Sequence, residues 1–265
     1  MGLRDLLDTV RATLRLPSLP PLPLLPGRMR REEPVPAGQL PDVASVVAAL
    51  RALDTELDRG DGVWHFNRMY LQVTELVEQR LHEGYFADDR FMERLDVVFA
   101  QLYLDAVHGD RVGLVPPPCW EPVLASRRTA LAPIQFAVAG MNAHINHDLP
   151  VAVVTTCRQL GIDPTTRQVR SDYDKVSAVL AEVHEQVRQS FLDGIALEVD
   201  RELTPLLTLV GSWSVARARE AAWVNSEVLW ALRAAPLLQE EFRASLSRTV
   251  GLVGRTLLVQ VAEPV

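Results

Sequence analysis

The chain has 265 residues, 48% hydrophobic and 23% charged, a globular composition long enough to bury a full core. Its formal net charge is −7, so no basic field draws in nucleic acid or an anionic membrane. Two cysteines, Cys119 and Cys157, are too few for a disulfide framework or a cysteine zinc site, and are expected as buried, reduced thiols in a cytoplasmic protein.

Residues 1–16 alternate charge with leucine and place Asp5 and Asp8 where a secretory signal needs an apolar run. Leu3, Leu6, Leu7, Val10 and Leu14 suit a short amphipathic helix. Eight prolines follow between Pro17 and Pro41. Proline fixes φ and lacks a donor, so this arm is expected to be extended, and its leucines suit wrapping along the body or a homo-oligomer contact. The expected layout is an arm over 1–41 and a helical domain over 42–265.

From Asp42 onward the pattern is helical. Val43, Val46, Val47, Leu50, Leu53 and Leu57 recur at three and four, and Gly60 to Gly62 end that helix. Further helices are expected over 64–83, from Asp88–Asp89 to about His108, near 120–130, and over a long apolar stretch from 133 to about 160. Gly161 and Asp163-Pro164 stop the last of these. Periodic segments follow at 172–192, 195–210, 212–233 and 237–260. No hairpin turn or alternating strand is evident. The expected fold is all-α, a single multi-helix domain around a buried central helix.

That central helix carries MNAHINHDLP, residues 141–150. It is apolar on nearly every side, yet Asn142, His144, Asn146, His147 and Asp148 interrupt it. Burying one polar group without a partner costs about 2–7 kcal/mol by solvent transfer. These groups must therefore pair, line a cavity or hold a ligand. At 100° per residue His144 and Asp148 share one face, Asn142 and Asn146 lie nearly opposite, and His147 falls between. His-x3-Asp suits a divalent metal (zinc, manganese or magnesium) held by His144 and Asp148. It equally suits an acid/base pair in which Asp148 orients the imidazole.

Other elements offer partners. Asp96 and Tyr103 share a face of the helix RLDVVFAQLYLDAVH, with Asp96 a catalytic or ligand candidate and Tyr103 a substrate-binding one. His65 sits at the start of the preceding helix, where it reaches a pocket or forms a rim. Asn142 and His147 complete the expected substrate-binding set. His184 suits a core edge. GYFADDRFME (84–93) resembles the first magnesium motif of class I terpene synthases, but the second motif of that family has no match, and N-capping by Asp88 or Asp89 explains the pair.

HFNRMYLQVTELV, FADDRFMERLDVVFAQLY, PPPCWEPV and GMNAHINHDLP together resemble a bacterial family known as a domain of unknown function, over roughly residues 60–235. The resemblance implies that the polar helix, the LDVVFA helix and the C-terminal tryptophans belong to one domain. His144-x3-Asp148 before Leu-Pro is also similar to a helix of the all-α zinc-dependent phospholipase C and single-strand nuclease family, which binds zinc through His and Asp. The N-terminal tryptophan ligand, the His after Gln-Pro and the later His-x3-Glu of that family have no counterpart here.

The functional expectation is an enzyme with an interior His/Asp pocket and a small, mostly apolar substrate. With a metal the reaction is hydrolysis of an ester or phosphoester. Without one it is acid/base cyclisation or isomerisation. The rival is a non-catalytic helical module whose polar network is structural.

Overall fold

The computed structural model describes residues 40–176, 178–180 and 214–259. All regular structure among them is helical, and they lie in one compact unit. The chain is all-α. The leucine-rich start, the Pro-rich arm, the 195–210 segment, His184 and Trp213 lie outside the described residues.

Helices α1 (Val43–Glu56), α2 (Gly62–His82) and α3 (Asp89–Arg111) each begin at an aspartate. Asp42, Asp61 and Asp88 accept hydrogen bonds from the backbone N–H of Ser45, Val63 and Phe91, satisfying donors that the first turn leaves open. Asp88 is therefore a cap, as the alternative to a terpene-synthase-like motif required. Asp172 completes this turn. It is fully buried, accepts the N–H groups of Ala87 and Asp88, and pairs with Lys175 at 2.9 Å.

The PPPCWEP segment turns through Trp120 and Glu121, whose N–H groups both meet the Pro117 carbonyl, into the short α4 (Glu121–Ser126). The helix expected near 120–130 is thus only six residues long. Tertiary bonds take over beyond it. Arg127 pairs with Asp61 and Asp110, and its carbonyl accepts the Gly62 N–H at 2.7 Å.

The central helix runs from Pro133 to Leu160 in three parts: α5 (Pro133–Ala143), a π turn (His144–Asp148) and α6 (Leu149–Leu160). In the π turn the Leu149 N–H reaches back five residues, to the His144 carbonyl. Pro150 explains the position. Proline cannot supply the next helical N–H, and its ring crowds the carbonyl four residues earlier, so the turn before it widens. At the far end Gly161 adopts φ 67°, the Ile162 N–H bonds the Cys157 carbonyl, and the Gly161 N–H bonds Arg158. This Schellman closure needs the left-handed conformation that glycine adopts without strain.

The next helix (α7) starts at 167, five residues before its expected position, and the described residues 167–176 and 178–180 are helical. Then come α8 (Val215–Ala231), a 3₁₀ turn (Leu232–Ala234) and α9 (Pro236–Leu257). Glu220 on α8 pairs with Arg170 on α7 at 2.7 Å, joining two helices.

Neighbours pack along most of the central helix. Helices α2 and α9 pack on α5, and α3 and α8 pack on α6. One core joins α1 to α5 with α9, and a second joins α3, α6, α7 and α8. The α2–α5 contact interlocks: the Phe66 ring lies over Gly140, and the Phe136 ring over Gly62. A Cβ at Gly140 would overlap Phe66, which touches Tyr70, Tyr103, Trp120 and His144. Gly140→Ala is expected to cost about 1–3 kcal/mol in urea unfolding, the usual price of overpacking. An unchanged midpoint would show that Phe66 has room to move.

Candidate functional site

The π turn gathers its polar residues around one carboxylate. Asp148 is 2% exposed. Its Oδ2 accepts from Trp120 Nε1 at 2.8 Å and from His144 Nδ1 at 3.1 Å. Its Oδ1 accepts from His147 Nδ1 at 2.8 Å. A wheel at 100° per residue separates His147 from Asp148. A wider turn advances fewer degrees per residue, and both imidazoles reach the same carboxylate.

The opposite pair is also formed, for another purpose. Asn146 Nδ2 donates to Asn142 Oδ1 at 3.1 Å, and Asn142 Nδ2 donates to the Val250 carbonyl at 3.0 Å. Asn142, expected to bind substrate, spends both ends of its amide on tying the central helix to α9.

Aromatic rings wall in His144. Phe99 stacks on its imidazole with centroids 3.5 Å apart and planes 7° apart. Tyr70 approaches edge-on at 4.5 Å, and Phe66, Tyr103 and Trp120 stand at 5.6–6.1 Å. Tyr103 donates its hydroxyl to Asn67 Oδ1 at 3.3 Å, so it contributes a wall and not a polar contact. His65 is half-buried against Trp64 and Phe136 and makes none of these ring contacts with His144.

Burial and partners assign the charges. Burial lowers the His144 pKa against the pull of Asp148, so the ring is neutral at pH 7. The carboxylate on Nδ1 only accepts, which assigns the His144 proton to Nδ1 and leaves Nε2 as a lone pair. For Asp148, burial raises the pKa, but its bonds from His144 and His147 outweigh that and hold it low. Burial by itself would lower His147. The Cys119 sulfur beside it and Asp148 override that and push it up to about 10.

His144 Nε2, the Tyr70 hydroxyl and Asp96 Oδ2 are among the buried polar atoms with no hydrogen-bond partner among the described residues. Asp96 lies one helical turn before Phe99. Burial, with the charge of Glu78, raises its pKa to about 7. Tyr70 is pushed well above its ordinary value by burial and then by the Asp96 charge, with a smaller contribution from Asp148. The phenol therefore stands within electrostatic reach of both carboxylates.

Cys119 is the residue the sequence reading left as an inert thiol. Its sulfur lies within 4.8 Å of a ring nitrogen of His147. Ligand-type atoms of Cys119, His147 and Asp148 all fall within 4.8 Å of one another, and all three residues are buried. His144, expected to share a metal with Asp148, is not in this group. Trp120 and Tyr70 were missed as well. Cys119 and Trp120 sit 29 and 28 residues before Asp148, with no spacing to link them, and Tyr70 reads as one more apolar-face residue of α2.

A surface groove of about 310 Å³, lined by residues of α1 and α3 including Leu53, Leu104 and His108, shares no residue with this centre. No helix among the described residues is long and apolar enough to cross a membrane. No curated protein and no solved structure matches the chain. Residues 43–260, which hold every element around Asp148, match the family of unknown function DUF5995, and the chain belongs to that family.

Proposed function

We propose that the chain is an enzyme whose His144–Asp148 pair performs general acid/base chemistry on a small, mostly apolar substrate, with ester hydrolysis as the reaction class. One observation carries this reading. His144 Nε2 is buried without a partner, while Nδ1 is held by an ionised carboxylate. A structural network satisfies its buried atoms, because each orphan costs about 1–3 kcal/mol. Here the unsatisfied atom is the lone pair that a general base uses. The Tyr70 hydroxyl and Asp96 Oδ2, also unpartnered, supply a donor and a carboxyl that shares its proton near pH 7. Phe99, Phe66 and Tyr103 provide apolar walls.

The test is His144→Phe. Phenylalanine keeps the stack on Phe99 and removes both nitrogens. Folding stability is expected to stay within about 1 kcal/mol of wild type, because the lost bond to Asp148 is offset by removal of the buried orphan. Turnover of p-nitrophenyl esters from acetate to hexanoate is expected in the wild type and to fall by about 10²–10⁴-fold in the variant. Imidazole nitrogen NMR at pH 7 should show His144 neutral with its proton on Nδ1. An imidazolium there, or equal turnover by both proteins, sinks the proposal.

A further inference from the structure

We infer that Cys119, His147 and Asp148 form a site for a zinc-class divalent metal, held by the Cys119 sulfur, the His147 imidazole and Asp148 Oδ1.

The donor set is the first reason. Thiolate, imidazole and carboxylate are all zinc ligands, and a thiolate selects zinc and similar ions over magnesium, calcium or manganese. The charge is the second. Metal binding releases the His147 imidazolium proton and the Cys119 thiol proton to solvent; the thiolate and the carboxylate then cancel a dication, so the loaded centre is neutral. Neutrality matters where Cys119, His147 and Asp148 are 1%, 5% and 2% exposed.

Geometry is the third reason. Zinc–ligand bonds of about 2.0–2.3 Å place neighbouring ligand atoms roughly 3.3–3.6 Å apart in a tetrahedron. The widest separation here is at most 4.8 Å, so the set closes with a shift of about 1 Å. Its members come from two separate elements. Cys119 is in the turn before α4, where its N–H donates to Ser247 Oγ on α9 at 3.2 Å. His147 and Asp148 are in the π turn.

The supporting shell is in place. Trp120, next to the ligand Cys119, donates to the far oxygen of the ligand Asp148, and His144 donates to the same oxygen. Such outer contacts orient a ligating carboxylate and are a regular part of metal sites. Asp148 thereby uses one oxygen for the metal and the other for His144. Three protein ligands leave a fourth position for water or a substrate atom.

A nucleophilic thiol at Cys119 fits less well. Such a thiol needs nearby N–H donors for an oxyanion. The N–H groups of Cys119, Trp120 and Glu121 are taken by Ser247 and by the Pro117 carbonyl.

The inference goes beyond the acid/base reading and fails independently of it. The test is a cobalt(II) titration of the full-length chain, stripped with a chelator and kept reduced. One equivalent is expected to raise a near-ultraviolet thiolate-to-cobalt absorption, which zinc displaces and magnesium does not. Cys119→Ala should abolish the band, while Cys157→Ala keeps it. If Cys119→Ala fails to fold, His147→Gln takes its place, with loss of the one-equivalent binding as the readout. No thiolate band in the wild type, or a band that survives Cys119→Ala in the folded chain, overturns the site. Either result leaves the His144 proposal to its own ester-turnover test.

Discussion

Asp148→Ala is expected to destabilise the fold by about 3–5 kcal/mol in urea unfolding, the range for removing one partner of a buried ionic network. The carboxylate accepts from Trp120, His144 and His147. Its removal leaves the Trp120 N–H and the His144 N–H without an acceptor in a region closed to water. It also leaves His147, which carries a proton at neutral pH, without its counter-charge. The contrast with His144→Phe is the informative part. Both variants remove the same His–Asp bond, but only Asp148→Ala strands a charge and two donors. A loss under about 1 kcal/mol would mean that solvent enters the centre and satisfies them.

Asp96→Asn is expected to stabilise the chain at pH 8 and to leave it unchanged at pH 4. Burial holds the Asp96 carboxyl at about 7, against an ordinary value of 3.8. Between those values the folded chain keeps a proton that the unfolded chain releases. Wild-type stability therefore falls as pH rises from about 4 to 7, and the cost is fully present above 7. The gap of about three pH units, at 1.36 kcal/mol each, sets the effect at on the order of 4 kcal/mol. Asparagine carries no charge to bury, and like the protonated acid it brings an unpaired donor, so that cost cancels. Parallel stability–pH curves for the two proteins would show that Asp96 finds a partner when ionised. A gain in stability with a loss of ester turnover would be the trade expected of a strained functional carboxyl.

Much of the helical layout was legible because it rests on local rules. The three- and four-residue recurrence from Val43 to Leu57 marks the buried face of α1, and aspartates stand at the starts of α1, α2 and α3 because a short carboxylate satisfies first-turn donors. Departures came where a tertiary bond competed with a local preference. The helix after Trp120 stops at Ser126 because Arg127 is drawn to Asp61 and Asp110. The expected stripe of His144 and Asp148 survives the π turn because residues four apart remain stacked in the wider turn.

The composition of MNAHINHDLP determined by itself that a buried helix would carry two helically spaced polar pairs, His144 with Asp148 and Asn142 with Asn146, because that spacing is local geometry. Pro150 determined that the helix could not pass through them undistorted. Only the tertiary structure decided what each pair does. Asn142 faces the Val250 carbonyl of α9 and became a tie, while Asp148 faces Trp120 and became a hub. Cys119 comes within 4.8 Å of His147 and Asp148 through a turn distant in sequence, and the Tyr70 hydroxyl and Asp96 Oδ2 stay buried with no hydrogen-bond partner among the described residues. Those assignments depend on which backbone lies across from each side chain, and a residue's own neighbours along the chain carry no record of that.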